Sequence, residues 1–350
     1  MRVSLIDPAA FTLPYDHHLA RALGTLGLEV ELVCSRFRFG VAPEPDGYRR
    51  RELFYPVSSR VFRRSRLRLP VKAVEHAAGL ARLRGAHVDV VHVQWAPLPE
   101  LDVRLMPAGH RAVMTAHDIL PRRTAGKVEL WRRLYDRYAR IVVHSENGAK
   151  RLAEVVGVPA GRVRVIPHPV FPGSVRYGDD GATLVFFGLI QAYKQLDHAL
   201  AVARALGARM IVAGDPLIDL GPLRGEPGVE WRLGYQSDAQ LDALLAQATV
   251  ALFPYRAELD QSGALLRALG SGTAVAAYDA GGIAEPVRRF GAGIVVPPDD
   301  LEALTEGVGG LLADRQALDA ARAGARLAAR ELTWEASATA HVAVYDEVLA

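Results

Sequence analysis

The stretch IVVHSENGAKRLAEVVGVPAGRVRVIPH, residues 141–168, decides the fold. A β-branched run, IVV, leads into NGAKRLAEVVG, whose apolar residues fall at helical spacing, and a second β-branched run, VRVI, follows. Strand, helix and strand in under thirty residues is the βαβ unit of a parallel sheet. The β-branched runs along the chain are apolar nearly throughout, as expected when helices cover both faces. Ser145 or Glu146 is placed to cap the helix.

The same alternation runs outward in both directions. Before it stand RVSLID, the helix YDHHLARALGTLG, EVELVCS, DVVHVQW and RAVMTAHD. After it the pattern breaks at PHPVFPGSVRYGDDG (167–181), rich in proline, glycine and charge, which reads as a linker. A second series follows: TLVFFG, LDHALAVARALG, RMIVAGD, VEWRLGY, DAQLDALLAQA, TVALFPY, TAVAAYD and AGIVVPP, then a helix from DDLEALTEGV with Asp299 or Asp300 as its cap. The fold class is therefore α/β, two Rossmann-like, doubly wound domains, with ligands expected beyond the carboxyl ends of the strands, in a cleft between the halves. A chain of 350 residues suits two such domains.

Composition narrows the function. Half the residues are apolar and 23% are charged, which is globular. The single cysteine, Cys34, excludes an internal disulfide and a cysteine-based zinc site, and no histidine pair has metal-ligand spacing on one helix. No apolar run is long enough to span a bilayer and the start carries no signal-peptide core, so a cytoplasmic protein is expected. Residues 49–84 hold eleven Lys and Arg against Glu52 and Glu75, interleaved with aromatic and aliphatic residues. That is either a solvated loop face or a contact with anionic lipid headgroups, and it carries no recognised nucleic-acid motif. Nucleic acid is therefore not expected as a partner.

Three places carry chemistry. Gly188 ends the strand LVFF and Lys194 follows six residues later, a pairing that would let a phosphate approach the backbone and neutralise it; the plain reading is a turn glycine and a solvated lysine. His117 ends VMTAH, where it could position a hydroxyl, whereas His92 and His168 are assigned no chemistry. In DQSGALLRALGSG (260–272), Ser262-Gly263 opens an apolar helix whose N-terminus suits an anion. A Gly-x-Gly-x-x-Gly loop is absent, which argues against a dinucleotide cofactor.

Taken with HSENGAKRLAEVVGVPAGRVRVIPH, LVFFGLIQAYKQLDHAL, MIVAGD, VALFPYRAELDQSGALLRALGSGTAVAAYDAGGIAEPV and TWEASA, the chain resembles the family 4 glycosyltransferases, retaining enzymes of GT-B fold. The resemblance implies an acceptor domain over 1–170, with a final helix over 334–350 packing back on it, and a nucleotide-sugar domain over 171–333. It implies transfer of a hexose from a nucleotide diphosphate sugar to an acceptor hydroxyl, with no metal and no other cofactor, on the cytoplasmic side and at the inner face of the membrane if the basic segment binds lipid. Lys194 matches the lysine on the diphosphate, Gly188 the strand-end glycine, Tyr235 and Gln236 the nucleobase slot, and His117 a histidine near the transferred sugar. Asp260 matches the first carboxylate of Glu-x7-Glu, and Arg267 stands where the second carboxylate would be, after a one-residue shortening. Leu189 replaces an arginine common in the family, with Arg256 close by in the chain. These departures leave two other readings: a non-catalytic nucleotide-sugar-binding partner of another transferase, and a GT-B sugar-nucleotide epimerase.

Overall fold

The structure is a computed structural model and describes the chain except for Phe39, residues 61–67, 84–86, Arg176 and residues 257–260; of Arg68 only the backbone is described. It divides into two compact units, Met1–Pro167 with Trp334–Ala350, and His168–Thr333.

Among the described residues, the first unit holds a seven-stranded sheet of β1 (Arg2–Asp7), β2 (Glu29–Ser35), β3 (Arg49–Phe54), β4 (Val90–Val93), β5 (Gly109–Thr115), β6 (Tyr138–Val143) and β7 (Val163–Val165). The order is β3-β2-β1-β4-β5-β6-β7, and every pairing is parallel. Helices α1 (Leu13–Thr25), α2 (Arg68–Leu83), α3 (Pro99–Leu105), α4 (Val128–Tyr135) and α5 (Glu146–Arg151) connect the strands. The chain winds outward from β1 to β2 and β3, then returns to β4 on the other side of β1. That reversal leaves a crevice beyond the carboxyl ends of β1 and β4.

Strand β3 corrects the reading of the basic segment as loop. Arg49–Arg51 lie on the sheet edge, and Arg51 pairs with Glu31 of β2 at 3.1 Å. An edge strand faces water on one side, so charge replaces the apolar signature of the central strands. Of the remaining arginines of that segment, Arg63, Arg64, Arg66 and Arg84 lie outside the described residues.

The second unit holds, among the described residues, a six-stranded parallel sheet in the order β10-β9-β8-β11-β12-β13. Its strands are β8 (Leu184–Phe187), β9 (Met210–Gly214), β10 (Val229–Leu233), β11 (Val250–Phe253), β12 (Ala274–Tyr278) and β13 (Gly293–Val296). Helices α6 (Leu196–Leu206), α7 (Asp238–Ala246), α8 (Gly263–Gly270), α9 (Ala284–Phe290), α10 (Leu301–Ala313) and α11 (Arg315–Glu331) complete it. Strands β8, β9, β11 and β12 are buried along their whole length, which explains their unbroken apolar runs. Here the winding reverses between β8 and β11.

The stretch read as a linker is instead fastened to this unit. Tyr177 donates its hydroxyl to the Gly272 carbonyl at 3.0 Å, and Asp179 forms a buried ion pair with Arg322 of α11 at 2.7 Å. Proline and glycine there mark irregular backbone, which side chains then hold in place. After α11, helix α12 (Trp334–Leu349) belongs to the first unit, where it packs on α1 and β5.

Candidate active site

In the second unit the groups converge where the winding reverses. Gly188 follows β8 at φ +98°, a conformation that favours glycine, and its N–H donates to the Ala213 carbonyl at 2.9 Å. Gly214, at φ +140°, ends the neighbouring β9. A Cβ on Gly214 would lie 1.9 Å from the Gly188 carbonyl oxygen, so only glycine allows this approach. Lys194 ends a short turn before α6 and is 7% exposed. Its Nζ sits 5.0 Å from the centroid of the buried Tyr255 ring and 3.3 Å from where a Gly188 Cβ would be. The ring face attracts the ammonium and fixes its position beside bare backbone.

The first turn of α8 closes the same place. Ser262 caps the helix, its Oγ accepting from Leu265 N–H at 3.3 Å, and Ala264 Cβ lies 3.5 Å from the Gly188 Cβ position. The opening N–H groups of a helix have no partner within it and carry the positive end of its dipole. A buried ammonium, a glycine strand end and a helix N-terminus thus meet, which is an arrangement for a phosphate. Arg256 joins the edge of this group through its backbone, its N–H donating to the Tyr193 carbonyl at 2.9 Å, while Leu189 is 39% exposed.

The other residues picked from the sequence of this unit are placed differently. Tyr235 and Gln236 follow β10, two strands from β8; Tyr235 is 54% exposed. Gln236 donates to the carbonyls of Arg232 and Gly234, each at 3.1 Å, and with Arg232, Leu233, Gln240 and Ala243 lines a cavity of about 420 Å³. Arg267 is turned to α7: its guanidinium donates to Asp242 Oδ1 at 2.8 Å and the Asp238 carbonyl at 3.3 Å. Those aspartates stand one turn apart, on a different face of α7 from Gln240 and Ala243. Asp260 lies outside the described residues.

In the first unit, His117 follows β5 and is buried. Trp95 stacks on its ring at 5.5 Å between centroids, and Tyr15 of α1 meets it edge-on at 4.8 Å. One ring nitrogen, Nε2, lies 2.9 Å from the Gln94 side chain, and the other, Nδ1, lies 3.2 Å from His144 Nε2. Gln94 also reaches His92, which is bonded to Thr115 and, at 2.7 Å, to Tyr345 of α12. Burial lowers His144 to about 4 and holds His92 well below the usual imidazole range. Beside them, at the end of β1, Asp7 and Asp16 form a buried carboxyl pair. Burial raises Asp7 to about 6, and burial and the Asp7 charge raise Asp16 well above the carboxylate range, so the two share a proton. Asp7 accepts from Ala9 N–H and Thr12 N–H, both at 3.1 Å, and so shapes the glycine-free loop that follows β1; Thr12 Oγ1 in turn accepts from Trp95 Nε1 at 2.8 Å.

Asp7, Asp16, Gln94, His144, Tyr255 and Gly214 were not assigned roles from the sequence. Apart from Asp16, which lies within α1, they share one sequence signal: each ends a strand at the carboxyl edge or follows closely.

The family model described as Glycosyltransferase Family 4 matches residues 15–172, and the one described as Glycosyl transferases group 1 matches residues 181–314. The chain is a family 4 glycosyltransferase. Among curated relatives of this glycosyltransferase, the D-inositol 3-phosphate glycosyltransferase of Mycolicibacterium paratuberculosis is 27% identical over 327 residues, covering 80% of this chain and 73% of the relative. Among solved structures, sucrose-phosphate synthase of Thermosynechococcus elongatus aligns over 99% of this chain and 98% of its own, at 17% identity and a TM-score of 0.78. HepE of Anabaena, in complex with UDP and glucose, aligns over 99% and 100%, at 14% identity and a TM-score of 0.70. These likenesses establish the GT-B fold. Among its described residues, the glycosyltransferase has no helix long and apolar enough to cross a membrane and no group of three or more His, Cys, Asp or Glu that could hold a metal ion.

Proposed function

We propose that this glycosyltransferase moves a hexose from a nucleotide diphosphate sugar to an acceptor hydroxyl with retained configuration, the second unit binding the donor and the first the acceptor. The observation that carries the reading is the convergence of Lys194, Gly188 and the N-terminus of α8 where the winding reverses. The UDP and glucose held by HepE agree with such a donor.

The bond from the anomeric carbon to the diphosphate oxygen breaks, and charge grows on that oxygen. The Lys194 ammonium and the first N–H groups of α8 stabilise it from positions already fixed, without reorganising. The acceptor oxygen attacks the same face, and its proton passes to the departing phosphate oxygen. His117 orients the sugar, and Asp260 holds sugar hydroxyls. Tyr235 and Gln236 contact the base from the loop after β10. Arg256 supplies the diphosphate charge that Leu189 lacks.

Lys194→Met keeps the stem and removes the charge. Losing one such donor costs about 10²–10³ in kcat; a variant turning over donor at the wild-type rate would sink the assignment. The basic segment gives a second surface, for anionic lipid at the inner face of the membrane, with Leu69 and Val74 of α2 63% and 70% exposed. Charge-reversal of Arg49, Arg50 and Lys72 should abolish cosedimentation with phosphatidylserine vesicles, and undiminished binding would refute that surface.

A further inference from the structure

The hydrogens of the buried imidazole chain can be assigned from its ends. Ile166 offers a carbonyl oxygen, which only accepts, to His144 Nδ1 at 2.9 Å. His144 therefore carries its proton on Nδ1. Its ring is buried and neutral, so Nε2 presents a lone pair. The neighbour of that lone pair is His117 Nδ1, at 3.2 Å, which must donate. The proton of a neutral His117 is thus on Nδ1, and its Nε2 is bare.

At Nε2 stands the Gln94 amide, whose two ends exchange roles by a flip. With His117 neutral, the NH2 group donates to Nε2. The amide oxygen then accepts from His92 Nε2–H, and His92 Nδ1 accepts from the Tyr345 hydroxyl. With His117 protonated, the amide oxygen accepts from Nε2–H, NH2 donates to His92 Nε2, and His92 Nδ1–H donates to Tyr345. The Thr115 hydroxyl, 2.7 Å from the same His92 Nε2, shares its proton in the first pattern and donates to the bare nitrogen in the second, so both patterns leave every one of these contacts matched. The aromatic and titratable groups around the chain are Tyr15 on α1, Trp95 after β4, Asp118 beside His117, and His341 and Tyr345 on α12.

We infer that His144 and Gln94 are positioning residues for His117: His144 fixes the Nδ1–H tautomer, and Gln94 occupies Nε2 with an amide that inverts with the charge of the ring. A sugar hydroxyl that displaces Gln94 from a neutral His117 meets a lone pair and donates its hydrogen to it. The ring therefore selects a hydroxyl free to act as a donor. Only this last consequence rests on the proposed transfer reaction; the tautomer stands on geometry.

The experiment is long-range ¹H–¹⁵N correlation of the imidazoles in the full chain, with His117 assigned by loss of its signals in His117→Gln. Wild type should show Nδ1 protonated and Nε2 bare at pH 8. In His144→Leu the proton should move to Nε2, facing the Gln94 oxygen; an unchanged tautomer overturns the assignment. His144→Gln, which keeps a donor and an acceptor, should restore the wild-type pattern. If His144→Leu does not fold, Gln94→Glu decides: an acceptor-only side chain at Nε2 should leave His117 doubly protonated at neutral pH, and a neutral ring there overturns the proposal. In transfer assays, His144→Leu should lower kcat at least about tenfold with nucleotide affinity unchanged. If wild type transfers no sugar while the spectra behave as stated, the transfer reading fails and the tautomer assignment stands.

Discussion

Arg267 stands where the family pattern has a carboxylate, and its role can be settled by removing its charge. Its side chain is 10% exposed and that of Asp242 31%, and the two meet at 2.8 Å. At a charge separation of about 4 Å and an effective dielectric near 20, the attraction is about 4 kcal/mol. Desolvation of both groups offsets much of that, and a charge-assisted hydrogen bond of this kind is left worth about 1.5–3 kcal/mol. Asp238, with its side chain 89% exposed, adds little. In Arg267→Met the Asp242 carboxylate keeps the Ser174 N–H and hydroxyl, both at 3.3 Å, so it is not stranded. The variant should therefore lose about 1.5–3 kcal/mol, which lowers Tm by roughly 3–12 °C. Asp242→Asn should lose a similar amount, and the double variant should fall short of the sum by at least about 1 kcal/mol. Scanning calorimetry measures the Tm values, and titration calorimetry with nucleoside diphosphate should give an affinity within threefold of wild type. A variant with wild-type Tm and nucleotide binding weakened tenfold or more would refute the reasoning and place Arg267 on the ligand.

The Asp7–Asp16 pair gives a pH prediction. The folded chain holds the Asp16 proton well above its ordinary value of 3.8, so the unfolded state binds fewer protons and stability falls as pH rises above about 4. Asp16→Asn removes that liability, and its stability relative to wild type, measured in urea, should grow steadily from pH 4 to 8; a difference that does not change with pH contradicts the shared proton. Gly214→Ala, meeting the Gly188 carbonyl, should cost at least about 2 kcal/mol, whereas Gly207→Ala, at φ +59° with nothing within 4 Å, should cost only about 1 kcal/mol; equal urea midpoints would deny the close approach. Chelation by EDTA should leave transfer rates unchanged, and a requirement for Mg²⁺ or Mn²⁺ would overturn the charge assignment to Lys194 and α8.

The central strands were readable because burial on both faces leaves them nearly all apolar, as in VALF and AVAAY. Caps were readable because they act locally: Ser145 accepts from Gly148 N–H at 2.9 Å and Asp300 from Ala303 N–H at 2.9 Å. Edge strand β3 was not, since its arginines answer to solvent. The meeting of Gly188 and Lys194 was legible for a related reason, being made by one short turn. The chain around His117 was hidden because parallel register creates it. Gln94 and His117 are 23 residues apart, His117 and His144 27, and His92 and Tyr345 253. Nothing local in the sequence ties such partners together. The arginine of the family motif could be flagged from sequence, but its partner on α7 could not, because α7 and α8 are brought together by the sheet.

The assignment of α12 to the first unit has a consequence for biosynthesis. Trp334–Ala350 emerge from the ribosome only after all of His168–Thr333. The second unit is thus a contiguous segment that needs nothing made after it to complete its fold. The first unit, begun earlier, waits for Trp334 to reach Tyr15 and for Tyr345 to reach His92. Until then its buried imidazoles lack their cover, so the part of the molecule made first is the part completed last.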